Sequence, residues 1–143
     1  MDFYLAARYS RRLELCGYRK QLEDLRHTVT SRWLHGNHQA DDDTLGSGGA
    51  AERFATEDIH DLMRAQIVIS FTEHPRSSKT RGGRHVEFGV ALATRRAVWI
   101  VGPRENVFHC LSHVRQFDTF DQLIAVLSPK HKHSIKAKGD RSS

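Results

Sequence analysis

No apolar run in these 143 residues approaches the ~20 needed to span a bilayer, so no membrane partner is expected. The N-terminus lacks the charged-then-apolar pattern of an export signal. Only Cys16 and Cys110 are present, too few for a disulfide framework, which points to a reducing cytoplasm. No internal repeat occurs. Metal chemistry has little to stand on: His35-x-x-His38 with Asp41 to Asp43 lacks the tight spacing of a zinc site, and no metal or organic cofactor is expected. Gly82-Gly83 is too little for a dinucleotide fingerprint.

What the chain does have is positive charge, +5 at neutral pH with a pI near 9.6. Much of the excess lies in the stretch from Lys130 to Lys138. That stretch has no apolar periodicity, so residues 130–143 read as a disordered basic tail. Residues 1–129 then form one domain, long enough for a real core. A small phosphate-bearing ligand suits such a protein, and a nucleic-acid polymer is not required.

Strand and helix patterns alternate along the domain. Phe3 to Ala7 reads as a buried strand, followed by a helix of about 18 residues. Ser10 is its N-cap, and Leu13, Cys16, Tyr18, Leu22 and Leu25 are its apolar members. Val29 to Leu34 reads as a second strand, Gln66 to Phe71 as a central one, and Ala97 to Gly102 as a fourth. A fifth is expected within Val114 to Phe120, with a last helix from Asp121 to Leu127. Trp33 and Trp99 read as core residues, although Trp33 near a strand end is also placed to flank a base. The alternation predicts a single Rossmann-like or flavodoxin-like α/β domain, about five-stranded, mainly parallel, with helices on both faces. In such sheets ligands bind beyond the carboxyl ends of the strands. There Arg8, Arg81, Arg84 and Glu87 are expected to face one crevice.

Two carboxylates stand out. Glu87 lies in the apolar run, Val86 to Leu92, of a helix whose first turn carries Gly83, Arg84 and His85. A buried carboxylate needs a partner or a task. Gly89 in the same helix suggests that something approaches the backbone closely. On the preceding helix, from about Gly48 to Ala65, the residues Ala51, Phe54, Ala55, Leu62 and Ala65 form one stripe at 100° per residue. Asp58 falls at its centre, Asp61 at its edge, and Glu57 and His60 point away.

Tyr4-Leu5-Ala6, then Asp58-Ile59-x-x-Leu62-x-x-Ala65, then Gly82-Gly83-x-x-Val86-Glu87-Phe88-Gly89 resembles the nucleoside 2-deoxyribosyltransferase-like superfamily. That superfamily includes nucleoside 5'-monophosphate N-glycosidases. The resemblance implies that Glu87 is the nucleophile attacking the anomeric carbon, that Asp58 binds or protonates the leaving base, and that Tyr4 lies beside them. The chain departs from the pattern at Gln66, where many members carry Asp, and in the loop Ala7-Arg8-Tyr9-Ser10.

Three functions follow from this reading. The first is hydrolysis of the base–sugar bond of a (deoxy)nucleoside 5'-monophosphate. Its phosphate would be cradled by Ala7, Arg8, Ser10, Arg81, Gly83 and Arg84, with Arg11 or Arg12 as further candidates. The second is base exchange between nucleosides, and the third is a non-catalytic nucleotide sensor. The resemblance also implies a homodimer in which Asn106 or His109 reaches the partner's Glu87.

Overall fold

The computed structural model describes residues 1–36, 38, 45–46, 49–74 and 82–129. The tail at 130–143, Arg81 and Asp41 to Asp43 lie outside them. Five strands form one sheet in the order β2-β1-β3-β4-β5: β1 (Asp2–Ala6), β2 (Thr28–Val29), β3 (Ile67–Phe71), β4 (Ala97–Val101) and β5 (Arg115–Phe117). Every pairing is parallel, the flavodoxin-like order, whose direction reverses between β1 and β3. All five residues of β3 are buried, as a central strand covered on both faces requires.

Helices α1 (Arg12–Asp24) and α4 (Phe120–Leu127) pack together on one face. Helices α2 (Gly49–Met63) and α3 (Gly83–Ala93) pack together on the other. The core is aliphatic and aromatic, with Phe3, Leu5, Leu15, Leu22, Ile69, Phe71, Ile100 and Leu123 inaccessible to solvent. Tyr18 stacks on Phe120 at 4.2 Å between ring centroids and ties α1 to α4.

Local departures from the sequence reading have physical causes. The second strand ends at Val29, and Arg32–His35 forms a 3₁₀ turn instead. Side chains replace the missing ladder: the Leu5 N–H donates to Ser31 Oγ at 2.7 Å, and Trp33 Nε1 donates to the Leu5 carbonyl at 2.8 Å. Ser10 does not cap α1, because a 3₁₀ turn (Tyr9–Arg11) precedes it and the helix begins at Arg12 without a side-chain cap. Leu13 is 75% exposed while Leu15 is buried; the two lie about 200° apart around the helix, so only one can face the sheet. The last helix starts at Phe120, capped by Thr119, whose Oγ1 accepts from the Gln122 N–H at 3.3 Å.

Helix α3 is less buried than its composition suggests. Val86 is 63% exposed, Gly89 is exposed, and nothing lies within 4 Å of a Cβ built on Gly89. The buried side chains are Arg84, Phe88 and Ala91. Gly82, at φ +84°, supplies the left-handed turn into this helix, a conformation that glycine adopts without steric penalty.

Candidate functional site

The carboxyl ends of β1 and β3 part at the reversal of strand order, and a cavity of about 100 Å³ opens there, lined by Ala7, Tyr9, Trp33, His38, Asp58 and Glu87. Ala7 and Tyr9 follow β1, Trp33 comes from the turn after β2, Asp58 from α2 and Glu87 from the second turn of α3. Tyr4, fully buried in β1, lies behind the carboxyls. The structure therefore brings Tyr4, Asp58 and Glu87 together from three separate elements.

Electrostatics make the group unusual. Burial is the main reason that the Glu87 carboxyl is pushed up to about 8; the Tyr4 hydroxyl works against the rise and the Asp58 charge adds to it. Burial also dominates at Asp58, which is raised to about 7, with Asp61 and Glu57 adding to the effect and Arg32 opposing it. Tyr4 is driven well above its ordinary range by burial and by the Glu87 and Asp58 charges. The Tyr4 hydroxyl, Asp58 Oδ1 and Glu87 Oε2 are among the buried polar atoms that lack a well-formed hydrogen bond. Native interiors rarely leave polar atoms so, and the pattern suits groups arranged to act on a ligand.

Helix α2 sits rotated from the expected stripe. Asp61, not Asp58, is the fully buried carboxyl, Ala55 is exposed and Asp58 is half-buried. Hydrophobicity alone could not anticipate this, because Asp61 is held by polar partners from the turn after β2. It accepts from the Arg32 backbone N–H and from Arg32 Nε, each at 2.9 Å. Glu57 does not point away either: His38 Nε2 lies 2.8 Å from Glu57 Oε2 and 3.7 Å from Asp58 Oδ1.

His38 is the residue that sequence reasoning missed, having been set aside as part of a polar loop. It is buried, packs its ring 4.8 Å from that of Phe54, and is shifted down chiefly by burial, with Glu57 opposing. Its spacing from His35 gave no signal; only the fold brings it to Asp58. Tyr9, which also lines the cavity, was read only as part of a loop.

The expected phosphate cradle is only partly present among the described residues. Ala7 lines the cavity, Ser10 is exposed on its 3₁₀ turn, and Gly83 is exposed at the start of α3. Arg8 Nε lies 2.8 Å from Glu73 Oε1. Arg84 does not face the crevice: it is only 4% exposed, and its guanidinium forks onto Glu105, with Nη2 donating to Oε2 at 2.8 Å. Arg11 forks onto Glu14 at 2.9 and 2.7 Å, and Arg12 donates to the Leu34 carbonyl at 3.0 Å. The two residues expected to reach a partner subunit both lie at the turn after β4. Asn106 Oδ1 caps the 3₁₀ turn Val107–Cys110, accepting from the Phe108 and His109 N–H groups at 3.0 and 3.3 Å. His109 is fully buried in its own chain.

Gln66, the departure from the family pattern, sits at the opposite end of the sheet. Its Oε1 accepts from the Asp2 N–H at 3.0 Å and its own N–H donates to the Asp2 carbonyl at 2.9 Å. It therefore ties β1 to β3 and touches nothing in the cavity. A larger cavity of about 480 Å³, lined by Arg11, Tyr18, Thr72, Gly102, Thr119 and Phe120 among others, opens between α1 and the start of α4. It lacks the paired, shifted carboxyls, so chemistry rather than size identifies the candidate site.

No protein-family model matches this sequence, and no curated protein matches it. Solved structures do. A 2-deoxyribosyltransferase from the psychrotolerant bacterium Bacillus psychrosaccharolyticus superposes on 89% of this chain and 96% of its own, with a TM-score of 0.68 and 17% identity. A CMP N-glycosidase from Clostridium botulinum covers the same 89% and 98% of its own chain, with a TM-score of 0.56 and 16% identity. A conserved protein from Enterococcus faecalis V583 matches over 89% and 96%, at 0.53 and 12%. The resemblance read from the sequence thus extends to the fold.

Proposed function

We propose that the protein cleaves the N-glycosidic bond of a nucleoside 5'-monophosphate, with Glu87 as nucleophile. The carrying observation is the pair of raised carboxyls, Glu87 and Asp58, in one small cavity backed by the Tyr4 hydroxyl. Glu87, ionised, attacks the anomeric carbon as the carbon–nitrogen bond breaks and its electron pair leaves with the base. Protonated Asp58 delivers a proton to that base, and His38 beside it is placed to orient it and to hold the shared charge. Water then attacks the glycosyl ester, gives its proton to Asp58, and releases the sugar phosphate and Glu87. The fold shared with a CMP N-glycosidase supports this reading.

One observation favours a second reading, transfer of deoxyribose between bases. Arg84 is committed to Glu105, which thins the phosphate cradle and suits an unphosphorylated nucleoside; the 2-deoxyribosyltransferase fold is shared as well. Incubation with a panel of nucleotides and nucleosides, with and without an acceptor base, separates the two. Free base from monophosphates supports the hydrolase. A new nucleoside formed only with acceptor selects the transferase, and no product from any substrate removes both.

We further propose that two copies associate through α3 and the turn at Val107–Cys110. Val86, Val107 and Phe108 are all more than half exposed there, and the two elements adjoin through the Phe88–His109 contact. Sedimentation should give a dimer that Phe108→Asp disrupts; a wild-type monomer with full activity would sink this idea.

A further inference from the structure

Glu105 lies outside the cavity and is bonded to three segments of the surrounding chain. Its carboxylate receives the buried Arg84 guanidinium, and its Oε1 also accepts the Glu73 N–H at 2.8 Å. Its own N–H donates to His109 Nδ1 at 3.0 Å. His109, fully buried, sets its ring edge-on to Phe88 with centroids 4.7 Å apart. One residue thus ties the segment leaving β3, the first turn of α3 and the turn after β4.

The spacing along α3 gives this arrangement a consequence. Arg84 lies three residues before Glu87 and Phe88 one residue after it. Glu105 therefore grips α3 on both sides of Glu87, directly at Arg84 and through His109 at Phe88. Rotation or sliding of this turn would break the Arg84 fork or unseat Phe88.

We propose that Glu105 is a positioning residue for the reaction, fixing the rotation and height of α3 so that the Glu87 carboxylate meets the anomeric carbon. The inference rests on Glu87 being the nucleophile. Misplacement of a reacting group by about 1 Å costs on the order of 100-fold in rate. Glu105→Gln should accordingly lower kcat by about that factor while KM changes less than about threefold, since the groups that bind substrate stay in place.

A merely structural ion pair would behave differently, and the double variant Arg84→Met/Glu105→Met separates the roles. Replacing a buried pair by apolar side chains of similar volume commonly restores stability, so the double variant should melt above Glu105→Gln. It offers no fork and no acceptor for the Glu73 N–H, so its kcat should stay low. Recovery of both Tm and kcat would overturn the proposal, as would an unchanged kcat in Glu105→Gln. Amide exchange at Glu73 and in the first turn of α3 supplies a readout that needs no turnover. Both should exchange faster in Glu105→Gln than in Leu123→Ala, a core variant on the far face of the sheet. Equal exchange in the two variants would overturn the latch. If the wild type releases no base from any substrate, the glycosidase reading fails while this exchange comparison still decides the latch.

Discussion

Replacing Glu87 by Gln should abolish base release and make the protein harder to unfold at neutral and alkaline pH. Burial raises this carboxyl from an ordinary 4.5 to about 8. The folded state therefore holds a proton that the unfolded chain releases. The stability associated with that proton is fully present below about 4.5 and is lost as the pH rises through about 8. At about 1.4 kcal/mol per pH unit, the whole loss is roughly 5 kcal/mol, a large part of the ~5–15 kcal/mol that holds a domain together. Gln keeps the shape and never ionises, so the variant escapes the loss. Thermal melts of both proteins across the range should coincide in acid and diverge as pH rises. At about 3 °C per kcal/mol for a chain of this size, the gap above pH 8 should reach on the order of 10 °C. Parallel curves, or a variant less stable than wild type in alkali, would refute the argument that Glu87 is buried at an energetic cost for the sake of its chemistry.

Asp58→Asn should lower kcat by about 100-fold or more without loss of Tm. Asp61→Asn should instead destabilise by ~1–3 kcal/mol, because the fully buried side chain loses a charge-assisted hydrogen bond to the half-exposed Arg32 guanidinium; the reverse outcome in melts and rates would reassign the two. His38→Phe should fold, since the ring packs on Phe54, but should lose activity through Asp58; unchanged turnover would remove His38 from the reaction. The active form needs Glu87 ionised and Asp58 protonated, against their respective values of about 8 and about 7. At pH 7.5 roughly one free molecule in twenty carries both states, so kcat/KM should peak between those values, and a flat profile there would count against the assignment.

The parallel sheet was legible because β-branched runs such as Ile67-Val68-Ile69 have few other places to go than a strand covered on both faces. What stayed hidden were elements whose backbone is satisfied by side chains. Nothing in Thr30-Ser31-Arg32-Trp33 announces that Ser31 Oγ and Trp33 Nε1 will take over the edge of β1. Such bonds join residues 26 and 28 positions apart and leave no local periodicity.

The site divides along the same line. Glu87 and Asp58 were visible as carboxyls in apolar surroundings, an anomaly that a sequence can display. The rotation of α2 was not, because Asp61 is buried by virtue of Arg32, a residue 29 positions away. The arginines mislead for a related reason. Composition counts Arg11 and Arg84 as available positive charge, but each is already forked onto a carboxylate of its own chain. A guanidinium buried with a matched carboxylate has exchanged water for a partner and has little left for a ligand. Arg8, also expected to cradle phosphate, retains exposure over 37% of its side chain, and it lies against Glu73. A phosphate arriving there would have to compete with that carboxylate. Arg8→Ala should therefore reduce any preference for monophosphates over nucleosides while leaving nucleoside turnover near wild type. If the preference survives intact, the phosphate is held elsewhere and Arg8 serves only to hold Glu73.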